Sequence, residues 1–431
     1  MEREEWSSTL GFILASIGSA VGIGNIWRFP YIVGANGGGA FLVPYLIAVL
    51  LFGLPLMVLE LAIGRSTGTS VISAFGSIRQ RFAAAGIVIV AVVSLILGYY
   101  LVITGWVLAY ALFFALGRPM EFGAFTDSYL PLIFFLAAGL AVYVTVRSGV
   151  REGIERASRY LIPALLVILI SLVAVSLTEP GAAEGIGFYL SPDYSRLTDP
   201  GVWIAAFGQA FFSLSVGMGI LLTFGSYLRR EALFRNAVII AGADMLIAIL
   251  TGLVIFPLVF TAGLDPAAGV NLAFITLPTA FTEIRYGMLL GALFFLMLFA
   301  AALTSAVSML EVPVAALMDS YGYPRKRATL LVFAAIMLLG LPSALSYTAL
   351  NLEAFGMPFL DLADYAFGTL GLIVAGLIVS VVGGWFMSRT RIYEEIGGCG
   401  WQQTGYIALI RYGVPAILLI TLIGNFFRVG G

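Results

Sequence analysis

Eleven apolar runs, each long enough to cross a bilayer, fill most of this chain. They lie near 10–34, 39–64, 83–116, 129–147, 153–177, 201–228, 233–262, 285–319, 327–348, 358–388 and 404–427. A helix crosses hydrocarbon in about 20 residues, so the longer runs must tilt, bend or project beyond the membrane. Of the 431 residues 61% are apolar and 10% charged, against about 45–50% and about 25% in a soluble domain. A soluble enzyme is therefore excluded. A net charge of −1 leaves no electrostatic footprint for nucleic acid. There is no histidine and one cysteine, Cys399. That removes imidazole chemistry, an internal disulfide and cysteine metal clusters. The reading is an all-α polytopic membrane protein, with no signal-peptide pattern after Met1-Glu2-Arg3.

Basic residues set the orientation. With the N-terminus inside, 17 of the 22 fall at the inner face, among them Arg65, Arg151, Arg229 and Lys326, and only Arg118, Arg196, Arg285 and Arg428 fall outside. Eleven spans then place the C-terminus outside.

Two spans carry glycine clusters where a membrane helix tolerates them least. Span 1 reads Gly18-Ser19-Ala20-Val21-Gly22-Ile23-Gly24-Asn25, and span 6 reads Ser213-Leu214-Ser215-Val216-Gly217-Met218-Gly219. Each glycine weakens a helix interior by about 1 kcal/mol against alanine. Either cluster alone is explained by close helix packing. Their correspondence five spans apart points instead to a transporter site between inverted repeats. At a break, amides can face an anion and carbonyls a cation. A zwitterionic amino acid with sodium suits that arrangement without a charged pocket residue.

Arg28, Glu60, Asp244, Glu311 and Asp364 are ionisable residues within spans, and such residues are functional by default because of their cost. Arg28 and Asp364 are expected to pair as an outer gate. Asp244 is the candidate cation ligand. Glu60 reads as an acceptor for amides freed by a break. Glu311 has no evident partner and reads as a polar packing contact. Thr304 and Ser305 offer two hydroxyls at one depth, although such hydroxyls usually bond their own backbone.

Several segments together resemble the neurotransmitter:sodium symporter family. They are Gly18–Pro30 (GSAVGIGNIWRFP), Asn36–Phe41 (NGGGAF), Gly53-Leu54-Pro55-Leu56 through Glu60, Trp203–Gly217 with its GQAFFSLSVG core, and Asn271–Pro278 (NLAFITLP). The nearest likeness is to bacterial and archaeal amino-acid transporters of leucine-transporter fold with eleven spans. The resemblance implies a 5+5 inverted repeat with discontinuous helices 1 and 6 and one extra C-terminal helix. Residues 1–177 form the first repeat (spans 1–5) and 178–200 an extracellular loop. Residues 201–388 form the second repeat (spans 6–10), with an extracellular lid near 263–284, and 389–431 carry span 11.

The resemblance also implies roles. One sodium site matches Gly18, Val21, Ala301, Thr304 and Ser305; the other matches Ala20, Asn25, Ser213 and Asp244, where the substrate carboxylate also touches sodium. Tyr100 matches the tyrosine that bonds that carboxylate, and Phe212 the lid above it. Ser19, Gly24, Ile96, Ser215, Met218 and Met309 match pocket walls. Arg28 and Asp364 match the outer gate. Arg3 with Asp319, beside Trp6 and Tyr227, matches the inner gate. Gly153 and Pro163 match a span 5 motif whose unwinding releases sodium inward.

Two departures refine the expectation. Asp244 stands where the family commonly has Asn, and Ala248 where chloride-dependent members have serine. Transport is therefore expected to be chloride-independent, with proton counter-movement on Asp244 an open alternative. Gly22 stands where amine-transporting members have Asp, leaving room for a substrate carboxylate. With Ile23, Ile96, Met218 and Met309 around it, the expected cargo is a neutral, hydrophobic amino acid, including bulky or aromatic ones. The whole reading is a sodium-coupled symporter in the cell membrane, with two sodium ions per substrate and no obligate protein partner. The competing classes are a channel, a membrane-embedded enzyme lacking the usual nucleophiles, and a transport-dead sensor of the same fold.

Overall fold

The computed structural model describes residues 4–191, 193–228, 232–266, 273–397 and 400–429. The first helix, α1 (Thr9–Ala20), starts where the Ser8 side chain accepts from the Gly11 amide at 3.0 Å. It stops at Val21, whose backbone is extended, and α2 (Gly24–Ala35) resumes at a bend of 50°. The first turn of α2, Gly24–Arg28, is wide, with i→i+5 hydrogen bonding. Next come α3 (Gly38–Thr67), α4 (Val71–Ile78), α5 (Gln80–Ala115), α6 (Phe122–Thr126), α7 (Leu130–Arg147) and α8 (Val150–Ser176). A short surface helix, α9 (Ala182–Leu190), leads to α10 (Pro200–Ser213), which is capped by the Asp199 carboxylate on the Gly201 amide at 2.7 Å. After six non-helical residues the chain continues as α11 (Ile220–Gly225).

The remaining elements are α12 (Leu233–Thr261), α13 (Thr276–Glu283), α14 (Gly287–Tyr321), α15 (Arg325–Leu345), α16 (Phe359–Phe386), α17 (Arg389–Ile396) and α18 (Gly400–Phe426). A two-residue hairpin, β1 (Glu353–Ala354) with β2 (Met357–Pro358), precedes α16. Among the described residues nine helices are long and apolar enough to cross a membrane, and the bent pair α1–α2 makes ten. The run expected at 201–228 differs from the rest. Its break is long enough that neither α10 nor α11 could span alone.

The arrangement places α1 at the centre, against α8, α12 and α14. The broadest contact is between α5 and α14, where Phe114 stacks on Phe295 at 5.6 Å between centroids. Large apolar side chains such as Val167 and Leu338 point outward, as lipid-facing residues do. α3 and α11 touch backbone to backbone: a methyl on Gly64 would lie 1.9 Å from the Leu222 carbonyl oxygen. That contact fixes the inner half of the second broken segment.

Candidate functional site

The two chain breaks face each other. The Ser215 hydroxyl of the second donates to the Ser19 carbonyl of the first at 2.9 Å. The second break turns through three residues of positive φ, Ser215 (53°), Gly217 (87°) and Gly219 (72°). Glycine adopts such angles freely, whereas Ser215 is strained there. The freed Gly217 amide donates to the carboxylate of Glu60, which is fully buried in α3. The expected role of Glu60 is thus the observed one.

One polar cluster closes the outer side of both breaks. The Asn25 side-chain amide donates to Asp244 Oδ1 at 2.7 Å and to the Ser213 hydroxyl at 2.9 Å. The Ser213 hydroxyl donates to Asp244 Oδ2 at 2.7 Å, and Asn25 Oδ1 accepts from the Gly22 amide at 3.1 Å. Gln209 donates to the Gly24 carbonyl at 2.8 Å. All four side chains are fully buried. A second cluster lies where α14 passes α1. The Ser305 hydroxyl is within reach of the Gly18, Ser19 and Val21 carbonyls at 3.3, 3.0 and 3.2 Å. The Thr304 hydroxyl bonds the Ala300 and Ala301 carbonyls of its own helix at 3.1 and 3.0 Å. A methyl on Gly18 would sit 3.0 Å from Thr304 Cβ, so the two helices are in contact there.

The candidate ligand atoms in both clusters are oxygens, the donor set of hard cations. Among the described residues no group of three or more His, Cys, Asp or Glu converges, so neither cluster carries the charge a divalent ion would demand. The residues fit a monovalent cation such as sodium.

Toward the end expected to face outside lies a cavity lined by Ile23, Tyr100, Phe212, Trp106, Asp361 and Asp364, among others. The Tyr100 hydroxyl accepts from the Ile23 amide at 3.3 Å. A methyl on Gly22 would meet that hydroxyl at 2.8 Å and the Ser305 hydroxyl at 2.6 Å, and one on Gly24 would meet the Phe212 ring at 2.9 Å. Aromatic rings roof the cavity. Phe274, from the expected lid, packs edge-on against Trp27 at 5.8 Å and Trp106 at 5.7 Å.

The outer gate differs from the expected pair. Arg28 and Asp364 both line this cavity, yet they form no direct ion pair. The guanidinium lies 4.4 Å over the Phe212 ring and hydrogen-bonds the Tyr31 hydroxyl, with Asp364 as the nearby negative charge. Ile96, Met218 and Met309 are buried and are not among the residues lining this cavity; Ile23 is. Gly153 falls in the wide-turned start of α8, at Val150–Glu155, and Pro163 lies inside the continuous helix that follows.

The inner end is closed by two sets of contacts. Trp6 packs against Phe12 and Phe224, and its indole N–H donates to the Phe224 carbonyl at 3.0 Å. The expected gate residue Arg3 lies outside the described residues, and the Asp319 carboxylate accepts from the Ser70 amide at 2.6 Å. The reading of Glu311 is corrected here. It is fully buried and accepts from the Tyr227 hydroxyl at 2.6 Å and from Arg325 Nη1 and Nη2 at 2.8 and 2.7 Å. Arg325 Nε also donates to Glu4 at 2.6 Å, and Glu4 accepts from the Val150 amide at 2.6 Å. The sequence reading missed Arg325, which looked like one more inner-face charge. Its signal was an unexplained carboxylate 14 residues upstream across a tight turn.

Comparison with known proteins bears on the whole chain. A sequence profile described as the sodium:neurotransmitter symporter family matches residues 3–131 and 130–430. An uncharacterized sodium-dependent transporter of Methanocaldococcus jannaschii is 36% identical, over 98% of this chain and 90% of its own. One from Bacillus subtilis is 35% identical over 97% of each. The rat sodium- and chloride-dependent GABA transporter 2 is 28% identical over 99% of this chain and 81% of its own. The crystal structure of MhsT in complex with L-phenylalanine superposes with a TM-score of 0.90 at 41% identity, covering 98% of this chain and 100% of that one.

Proposed function

The chain belongs to the sodium:neurotransmitter symporter family, as a sodium-dependent transporter of the membrane rather than an enzyme, and from that premise we propose that it imports a neutral, bulky or aromatic L-amino acid with two sodium ions by alternating access. The observation that carries this reading is the meeting of the two breaks, Ser215 to Ser19, between two oxygen clusters. The cluster at Ala20, Asn25, Ser213 and Asp244 holds one sodium beside the substrate carboxylate. The cluster at Gly18, Val21, Ala301, Thr304 and Ser305 holds the other. Tyr100 and the amides at Gly22–Gly24 receive the carboxylate, while Ser19 and Ser215 border the amino group. Phe212, Ile23 and, deeper, Ile96, Met218 and Met309 surround the side chain. The L-phenylalanine bound by MhsT supports an aromatic cargo.

The fold divides for this purpose into repeats at 1–177 and 201–388, joined by 178–200, with 389–431 outside the repeat. Asp244 supplies the negative charge that chloride would otherwise bring, so the cycle proceeds without chloride. Two sodium ions are sufficient as a drive. Each gains about 2.3 kcal/mol per 100 mV and about 1.4 kcal/mol per tenfold gradient.

The test is uptake of labelled L-phenylalanine into proteoliposomes. Uptake is expected with an inward sodium gradient and absent with potassium, at equal rates in chloride and gluconate media. Sodium-independent uptake, or preference for glutamate or lysine, would sink the reading; a strict chloride requirement would sink its anion clause.

A further inference from the structure

Four arginines at the end expected to lie inside take no part in the gates or the oxygen clusters. They gather around the last turn of α16, which finishes on two exposed rings, Trp385 and Phe386. The Arg79 guanidinium, from the turn between α4 and α5, lies 4.8 Å over the Phe386 ring. Phe386 packs against Phe82 at 4.8 Å between centroids, and Arg81 lies 5.3 Å over Phe82. From α18, Arg411 lies 5.6 Å over Trp385. Its Nε donates to the Gly384 carbonyl at 2.6 Å, and the Trp385 indole N–H donates to the Arg411 carbonyl at 3.1 Å. Arg389 opens α17 just past Phe386 and is exposed, as are Arg79 and Arg81. Among the described residues none of these four arginines forms an ion pair. Of the two carboxylates on α17, Glu395 is held by Arg65, and Glu394 lies well round the helix from Arg389.

We propose that this surface binds the head group of an anionic phospholipid of the inner leaflet, its phosphate beside Arg79 and Arg81, with Arg389 and Arg411 adding positive charge around it. Charge complementarity selects the occupant. A guanidinium stacked on a ring keeps its in-plane N–H groups for an acceptor, and their fork matches phosphate oxygens. Arg411 uses Nε on the Gly384 carbonyl, and among the described residues its terminal nitrogens have no partner. Aromatic residues set the depth. Tyr412 meets Trp385 edge-on at 5.3 Å, and Tyr412 and Trp401 are both exposed. Such rings settle at head-group level in a bilayer. One turn back from Trp385, Val381 of α16 is exposed and offers an acyl chain an apolar wall. A soluble anion would forgo that wall, and a zwitterionic lipid would bring a further cation to a surface already rich in them. Binding itself does not depend on the transport reading, and its test reads binding alone.

The probe is dioleoylphosphatidylglycerol, titrated into the full chain in detergent, with bound lipid counted by native mass spectrometry. Its apparent affinity is expected to exceed that of dioleoylphosphatidylcholine by about tenfold or more. Arg79→Gln combined with Arg81→Gln should remove about tenfold of that preference. Arg389→Gln, at an exposed position, is the second variant and should weaken binding by about threefold or more. Lys326→Gln combined with Arg327→Gln takes the same charge from the same end of the molecule, on exposed positions of α15, and should change nothing. Excess glycerol 3-phosphate, a head group without chains, should not displace the lipid. Equal affinity for the two lipids would overturn the proposal. So would undiminished binding in both arginine variants, an equal loss in the α15 pair, or displacement by glycerol 3-phosphate.

Discussion

A single methyl at position 22 would meet two hydroxyls of the proposed site. The built contacts of 2.6 and 2.8 Å, to the Ser305 and Tyr100 hydroxyls, leave no room for a Cβ. Gly22→Ala is expected to weaken L-phenylalanine binding at saturating sodium by about tenfold or more, read by equilibrium dialysis. Asp244 anchors two donors, Asn25 and Ser213. Asp244→Ala removes the carboxylate acceptor of both at about 1–3 kcal/mol each, although Asn25 keeps its bond to the Ser213 hydroxyl. Sodium-dependent uptake should vanish and the detergent melting temperature fall, and retained uptake would refute the ligand assignment. Asp244, Asn25 and Ser213 were legible because a charge or amide inside an apolar run demands an explanation. Arg325 was not, because a basic residue at a span mouth looks the same whether it meets solvent or reaches a buried carboxylate. Only the docking of the α15 start beside α14 decides that.

At the scale of elements, the broken helices were legible and the wide turns were not. Paired glycine clusters announced the breaks at Val21–Gly24 and Leu214–Gly219. The wide stretch Asp364–Gly371 has no comparable signature. It is set by packing, since a Cβ on its Gly368 would lie 2.1 Å from the Tyr99 hydroxyl. The second break was legible as well: its six non-helical residues, Leu214–Gly219, lie inside the cluster Ser213–Gly219 that the sequence marks. Glu60 is the support of that break through the Gly217 amide. Glu60→Leu should lower the melting temperature by an amount corresponding to about 1–3 kcal/mol, and Glu60→Gln, which keeps an acceptor, by clearly less. Equal melting of the two variants would show that this hydrogen bond is not what holds the break.

For the whole molecule, the all-α, many-spanning architecture came from apolar runs that need no packing knowledge, whereas the closure of the two ends did not. The inner end ties the N-terminal segment to α8 and α15. Glu4 meets Arg325 and the Val150 amide, and Ser7 donates its amide to Glu155 at 2.8 Å. Arg325→Ala should leave Glu311 buried without its cation, a loss of about 3–5 kcal/mol. Hydrogen exchange at Val150 should then quicken, while the amides at Gly22–Gly24 stay protected. Unchanged exchange would mean that Glu4 is held independently of Arg325. The two doors thus differ in material: edge-on rings above, and below the Trp6 ring packing joined by paired ions. Ring contact is insensitive to electrolyte, and so, nearly, is the buried Arg325–Glu311 pair; the partly exposed Glu4 contact to Arg325 is the one screened once the Debye length falls to about 3–10 Å. Raising ionic strength with an inert salt, at fixed sodium, should therefore hasten release into the cell and leave capture from outside unaltered. Ion concentration alone could then set which half of the cycle limits turnover.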